Sequence, residues 1–357
     1  MNEINVKYLT GKKQDFWKFV ESINIGNKNK EKIGVLTHND LDAIASLIFL
    51  EEILNKKGLK VSFVKYVNYG NGVFENALKE FKKKKIKKLF VLDLILESYS
   101  EFFNIKKNFG FDVFLIDHHP SNIKNTDNII KTESFDCTAL VMFDLASESV
   151  NMAKWEWLLC VSIIAEVSYK NPENMKIIQR KYPKTKEKYI LESDPGRLAK
   201  KIQSATVYFQ DDLNEVYNLI KKKDLTKIDE IHEIVQNDID SCLEQFEENA
   251  EYFPEKKLCI SIIKPRFNIT SAVANEISFK PKNLDTTFII ISEHKDNPKF
   301  YKISARNQSG KVDLNELMKK AIYGLKDATG GGHKQSSAAT FMKKDLEQFK
   351  ENLLRSL

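Results

Sequence analysis

Between residues 33 and 116 short apolar runs alternate with helix-favouring stretches, an order that restricts the chain to an open α/β sheet with parallel strands. Four strands are predicted, at 33–37, 60–66, 88–94 and 112–116. A helix with apolar residues on one side spans 43–57 and stops at Gly58, which completes a strand, helix, strand unit.

The residues just past the strand ends matter more than the strands themselves. The first strand runs into Thr37-His38-Asn39-Asp40-Leu41-Asp42, the third into Asp93, and the fourth into Asp117-His118-His119. Parallel sheets deliver ligand sites just past the carboxyl ends of their strands, so these acids and imidazoles are expected to share one edge. Negative charge concentrated there needs cations. Mixed oxygen and imidazole donors suit manganese, and also iron or zinc, whereas an oxygen-only set would favour magnesium or calcium. A bridging carboxylate can hold two ions about 3.5–4 Å apart, the arrangement that activates water and neutralises phosphate oxygens. Taken singly, each Asp reads as a cap or turn residue, Asp42 as a helix N-cap in particular. The convergence of three segments favours a metal site.

A chain of 357 residues exceeds what one hydrophobic core usually serves, so two domains are expected. Charged, helix-favouring sequence from 171 to 254, including 213–223 and 226–252, reads as a helical connector. Alternation then returns with strands at 258–263, 287–293 and 300–305, helices at 271–277 and 312–324, a strand near 338–342 and a helix from Asp345. The expected division is 1–190, a connector at 191–254, and a smaller α/β domain at 255–357.

The four cysteines are far apart, with neither disulfide-scaffold density nor metal-pair spacing, so a reducing cytosol is the simplest setting. Apolar runs such as 43–50 and 157–165 are too short to span a bilayer, and the start at Met1 lacks an apolar leader. A soluble, cytoplasmic protein without a membrane partner is expected. The net charge of +6 permits a polyanionic partner without demanding one. The lysine run 82–88 reads as a solvated helix end before a strand.

The order His-x-Asp-x-Asp, strand-terminal Asp, then Asp117-His118-His119 resembles the DHH phosphoesterase superfamily, which includes RecJ-like nucleases, short-oligonucleotide nucleases and family II pyrophosphatases. Gly330-Gly331-Gly332-His333 resembles the glycine-rich signature of the DHH-associated C-terminal domain, and Lys302-Ile303-Ser304-Ala305-Arg306 looks like its substrate-contacting strand. The resemblance implies one ion held by His38, Asp40 and Asp93 and a second by Asp42, Asp93 and His118, with Asp93 bridging. It places His119 at the scissile phosphate and Asp117 behind it as an orienting group. Where the family presents a further metal-binding Asp after a hydrophobic helix, residues 158–166 offer Glu166. The expected ions are manganese, with magnesium or cobalt as alternatives.

Three consecutive glycines allow an anion-binding nest of N–H groups, and Arg306 a bidentate phosphate clamp. His333 would bind phosphate or a terminal nucleotide. Ser271 and Asn275 face either substrate or solvent, while His232 and His294 read as surface residues. The resulting expectation is a phosphodiesterase or exonuclease with its cleft between two α/β domains, acting on single-stranded DNA or RNA or short oligonucleotides. The alternatives are a phosphatase or phosphodiesterase for dinucleotides or nucleoside bisphosphates, and a catalytically silent nucleic-acid-binding replication scaffold.

Overall fold

The computed structural model describes residues 4, 6–24, 31–68, 73–95, 104–105, 107–120, 127–295 and 297–357. By compactness the chain divides into Met1–Asp229 and Glu230–Leu357. The helices expected in the connector are present, and two of them, Asp194–Tyr208 and Asn214–Lys222, belong to the first of these units.

The first unit is built on a six-stranded sheet. Its strands are β1 (Tyr8–Thr10), β2 (Ile33–His38), β3 (Val61–Val67), β4 (Lys88–Leu92), β5 (Asp112–Asp117) and β6 (Ile129–Thr132), in the order β1-β6-β5-β4-β2-β3. All neighbours are parallel except β1, which runs antiparallel to β6 at the edge. The four predicted strands are β2 to β5; β1 and β6 extend the sheet beyond them. Every residue of β4 is buried, as expected where helices cover both faces.

Alternate residues of the central strands supply two cores. Leu36, Leu89, Val91, Val113 and Leu115 pack with Ala77, Leu78 and Phe81 from helix Val73–Lys83. On the other face Phe90 and Phe114 meet Phe16 and Phe19 of helix Lys13–Glu21 in edge-on and tilted ring contacts. Helix Leu41–Lys56 is buried on almost every side, and Thr138–Ser147 and Glu156–Ala165 are similarly enclosed. All-round apolar sequence is what such a position requires. The strand order reverses at β2, whose neighbours are β3 on one side and β4 on the other. Open α/β sheets form their crevice at such a switch point.

The second unit holds another six-stranded sheet of mixed direction. It comprises β7 (Glu251–Phe253), β8 (Leu258–Ile262), β9 (Thr287–Glu293), β10 (Phe300–Arg306), β11 (Thr329–Gly332) and β12 (Ser336–Met342), ordered β11-β12-β10-β9-β8-β7. Only β8 and β9 are parallel. Ile303, Ala305 and Phe341 pack with helices Leu314–Ala321 and Leu346–Ser356, while Thr270–Ser278 contacts β9 and β10.

Among the described residues no helix is long and apolar enough to cross a membrane. All four cysteines are buried and free.

Gly34 in β2 gives a direct test of the packing. A Cβ there would lie 2.7 Å from the ring of the buried Phe81. Gly34→Ala is therefore expected to destabilise the protein by about 1–3 kcal/mol in urea unfolding. Pairing it with Phe81→Leu should recover part of the loss; unchanged stability of the single variant contradicts this contact.

Candidate metal centre

Three strand ends and two helix ends build the site. His38 closes β2, and the next turn makes Asp40 the N-cap of Leu41–Lys56, its Oδ1 accepting the Ala43 N–H at 2.9 Å. The other oxygen lies 2.5 Å from His38 Nδ1. One short segment thus fixes an imidazole against a carboxylate.

Asp93 follows β4 with φ near +56°, in the left-handed region that Asp tolerates better than most residues. Its N–H donates to Ile116 O, tying the turn to β5. The carboxylate is almost wholly buried and its two oxygens face different partners. Oδ2 lies 3.9 Å from His38 Nδ1; Oδ1 lies 3.4 Å from His118 Nε2 and 3.9 Å from His119 Nδ1. Two groups of donor atoms result, His38 with Asp40 and Asp93, and Asp93 with His118 and His119, each within 4.8 Å. Asp93 is common to both.

Asp117, His118 and His119 sit at the end of β5. Lys131 of β6 donates to Asp117 Oδ2 at 2.7 Å, and Asp117 Oδ1 lies 2.7 Å from His119 Nδ1. The buried acid therefore holds the ring, with its charge balanced from behind. Sequence reading missed Lys131, because the pair spans two strands rather than a local motif.

Asp42 has a different setting. It is fully buried, and its two oxygens accept the backbone N–H groups of Thr138 at 2.7 Å and Ala139 at 2.9 Å. It caps helix Thr138–Ser147, where Cys137 makes no side-chain cap. Thr138 Oγ1 in turn donates to Asp93 Oδ1 at 3.1 Å. Asp42 belongs to neither donor group, although Asp93 and Glu166 act on its charge. Nothing local in the sequence reveals this contact across 96 residues.

Glu166 ends helix Glu156–Ala165 and is followed by Val167 at φ +58°, an uncommon backbone for a β-branched residue. Glu166 lies in neither tight group but within the field of Asp40, Asp93, His118 and His38. Burial, with Asp40 and Asp93 beside it, pushes its carboxyl up to about 8.

The electrostatics record crowded acids. Burial raises Asp42 well above its usual value, with Asp93 and Glu166 adding to it. Burial and Asp40 also raise Asp93. For Asp40 and Asp117 burial acts upward but is outweighed, by His38 in one case and by His119 and Lys131 in the other, and both lie low. Burial would strip His118 of its proton, yet Asp93, Asp42 and Asp117 push it up to about 10. Both His118 ring nitrogens are buried without a hydrogen-bond partner. An oxygen and imidazole set with such orphaned ring nitrogens fits a divalent transition ion.

The second unit carries the other predicted residues. Arg306 ends β10 and is buried, its Nε donating to Asn275 Oδ1 at 2.6 Å, one terminal nitrogen to Ser271 Oγ at 2.5 Å and the other to Ala305 O at 2.8 Å. Ser271 and Asn275 therefore hold the guanidinium. No carboxylate pairs with Arg306 among the described residues, and burial lowers its pKa.

The predicted nest of Gly330, Gly331 and Gly332 does not form. These glycines belong to β11, an edge strand paired antiparallel with β12. Successive N–H groups of an extended strand point to opposite sides and cannot converge on one anion. Gly332 (φ +147°) leads into a turn in which His333 N–H donates to Ser336 O; a Cβ there would meet Ser336 O at 2.7 Å. His333 is exposed on this turn, and Ser336 pairs with Arg306.

Residues 32–184 match the family model described as DHH family, N-terminal domain, and residues 255–357 match the DHHA1 domain. No curated protein matches the sequence. Among solved structures, the exonuclease RecJ bound to manganese is similar over 98% of this chain and 94% of that one, with TM-score 0.72 and 16% identity. RecJ from Thermus thermophilus in complex with Mn2+ gives 0.71 and 16%, over 99% of this chain and 55% of that one. CDC45 from Entamoeba histolytica gives 0.60 and 12%, over 96% and 98%. At these identities the likeness is one of fold. Fold, family and donor set together support a metal-dependent phosphoesterase.

Were His118 to bind an ion through a ring nitrogen, capture would expel the proton that it keeps below its raised pKa. Manganese affinity is expected to weaken as pH falls from about 9 to about 6, by about tenfold per unit for each proton displaced. Calorimetry in buffers of different ionisation enthalpy should show proton release. Binding without release or pH dependence contradicts this ligand set.

Proposed function

Since the chain belongs to the DHH superfamily and carries a DHHA1 domain at its carboxyl end, we propose that it hydrolyses phosphodiester bonds of single-stranded nucleic acid or short oligonucleotides using two divalent ions, manganese foremost. The observation that carries this reading is the buried Asp93 carboxylate, with one oxygen facing His38 and the other His118 and His119. His38, Asp40 and Asp93 would hold one ion and Asp93 and His118 the other, with Asp42, through lone pairs that its helix amides leave unused, and Glu166 at the edge of the site able to join the second set. When bound, such ions would supply an activated water and neutralise charge on the phosphate oxygens.

The remaining work falls to side chains. Asp117 accepts from His119 Nδ1–H, which leaves Nε2 to meet a non-bridging oxygen or carry a proton at the scissile phosphate. Lys131 keeps Asp117 ionised, so the tautomer is fixed. Arg306, held by Ser271 and Asn275, recognises a phosphate with a preset fork. Gly330, Gly331 and Gly332 present a strand without side chains, which lets a nucleotide approach the backbone, and His333 binds at the turn beside it.

A second reading is a nucleic-acid-binding scaffold without catalysis. The fold likeness to CDC45 and the engagement of both Asp42 oxygens with helix amides favour it. Digestion of end-labelled RNA and DNA, from dinucleotides upward with and without manganese, separates the two. Metal-dependent product ladders support the nuclease, and single-strand binding without cleavage supports the scaffold.

Asp93→Ala is expected to abolish hydrolysis while leaving the circular dichroism spectrum intact; retained turnover removes Asp93 from the site. Asp117→Asn should lower kcat by about 10–100-fold with KM little changed, since it only misorients His119. Arg306→Ala should instead raise KM and reduce the salt slope of binding by about 0.7, as one phosphate contact is lost.

A further inference from the structure

Along the same face of β10 as Arg306 lies a pocket that none of these roles uses. It encloses about 130 Å³ and is lined by Asn268, Thr270, Ser292, His294, Lys302 and Thr340, among others. Ser292, Lys302 and Thr340 form one row across β9, β10 and β12. Lys302 Nζ donates to Asn268 Oδ1 at 2.8 Å, and the Thr270 and Ser292 hydroxyls lie 2.6 Å apart. His294, which reads as a surface residue in the sequence, lines this pocket with its Nδ1 buried and without a hydrogen-bond partner. Thr270 opens a helix that no side chain caps, so first-turn N–H groups stand beside the pocket.

The surroundings are basic. Lys295 Nζ and the Arg266 guanidinium stand 5.6 Å and 5.1 Å from the Phe267 ring centre. Glu293 is the only lining carboxylate among the described residues, and Lys343 pairs with it. The loop bearing Arg266 to Asn268 is fixed in advance. Asp238 accepts the N–H groups of Arg266 and Phe267 at 3.1 and 2.9 Å, and Gln245 accepts that of Lys264 at 2.9 Å. Cations, hydroxyls, an amide and free helix N–H groups in a preset cavity form an anion site. At about 130 Å³ it is large enough to admit a phosphate group.

Lys302 and Arg306 are four residues apart on one strand, about 13 Å along the backbone, and Thr270 of the pocket lining adjoins Ser271, which holds Arg306. We propose that this pocket binds a second phosphate of the single strand that Arg306 grips, so that the carboxyl-terminal unit reads substrate length. This rests on the nuclease reading above.

The test uses the whole chain in chelator, so that nothing is cleaved, and fluorescence anisotropy with a labelled dinucleotide and a longer single strand. Wild type is expected to favour the longer strand. Lys302→Gln should weaken binding of the longer strand by roughly tenfold and lower its salt slope by about 0.7. Lys295→Gln should act in the same direction and Lys302→Arg should retain binding, which separates lost charge from lost fold. If Lys302→Gln and Lys295→Gln bind the longer strand with wild-type affinity and slope, the pocket is not a phosphate subsite. A wild type that cleaves single strands with manganese yet shows no length preference overturns the pocket alone. A wild type that neither binds nor cleaves them overturns both readings.

Discussion

The site depends on a single carboxylate held where solvent cannot reach it. Asp93 sits at the end of a fully buried strand, in a left-handed backbone conformation locked to β5 through its N–H, with Thr138 donating to one oxygen. A buried, charged carboxylate is costly unless it is paired. Here its neighbours are three imidazoles and further acids, and Lys131 offsets only Asp117 at the back. The fold tolerates that arrangement because helices cover both faces of the sheet and hold the strand ends rigidly. The same packing that buries the acids makes a cation at their centre favourable.

The second unit follows a related logic with the sign reversed. Arg306 is buried by the sheet and by helix Thr270–Ser278, and it receives neutral acceptors instead of a counter-ion. Its geometry is fixed while its charge stays uncompensated by any described carboxylate. A guanidinium kept in that state is poised for an external anion. The glycine strand, one strand removed across β12, offers absence of bulk rather than a cradle of N–H groups.

Much of this is legible in the sequence because strand ends are local features. Apolar runs ending in His38, Asp93 and Asp117 place their polar residues at one sheet edge as soon as the strands are parallel, and β2 to β5 lie within one or two residues of their predicted limits. The sequence hides pairings made across long separations. The three-residue β1 and the four-residue β6, which contains Lys131, carry too little periodicity to read and owe their strand form to neighbours. Asp42 reads as a cap for its own helix, yet it caps another one far along the chain. Ser271 and Asn275 are ambiguous until Arg306 reaches them. The glycine triplet suggests a nest of N–H groups, whereas pairing with β12 draws it into the sheet.

The central claim is that Asp93 joins two metal positions. Anomalous diffraction at the manganese edge from crystals soaked in the ion tests it without reference to any substrate. The account predicts two peaks flanking the Asp93 carboxylate, one within bonding distance of His38 and Asp40 and the other of His118. A single peak that leaves Asp93 unbound, or none with the side chains otherwise in place, contradicts it.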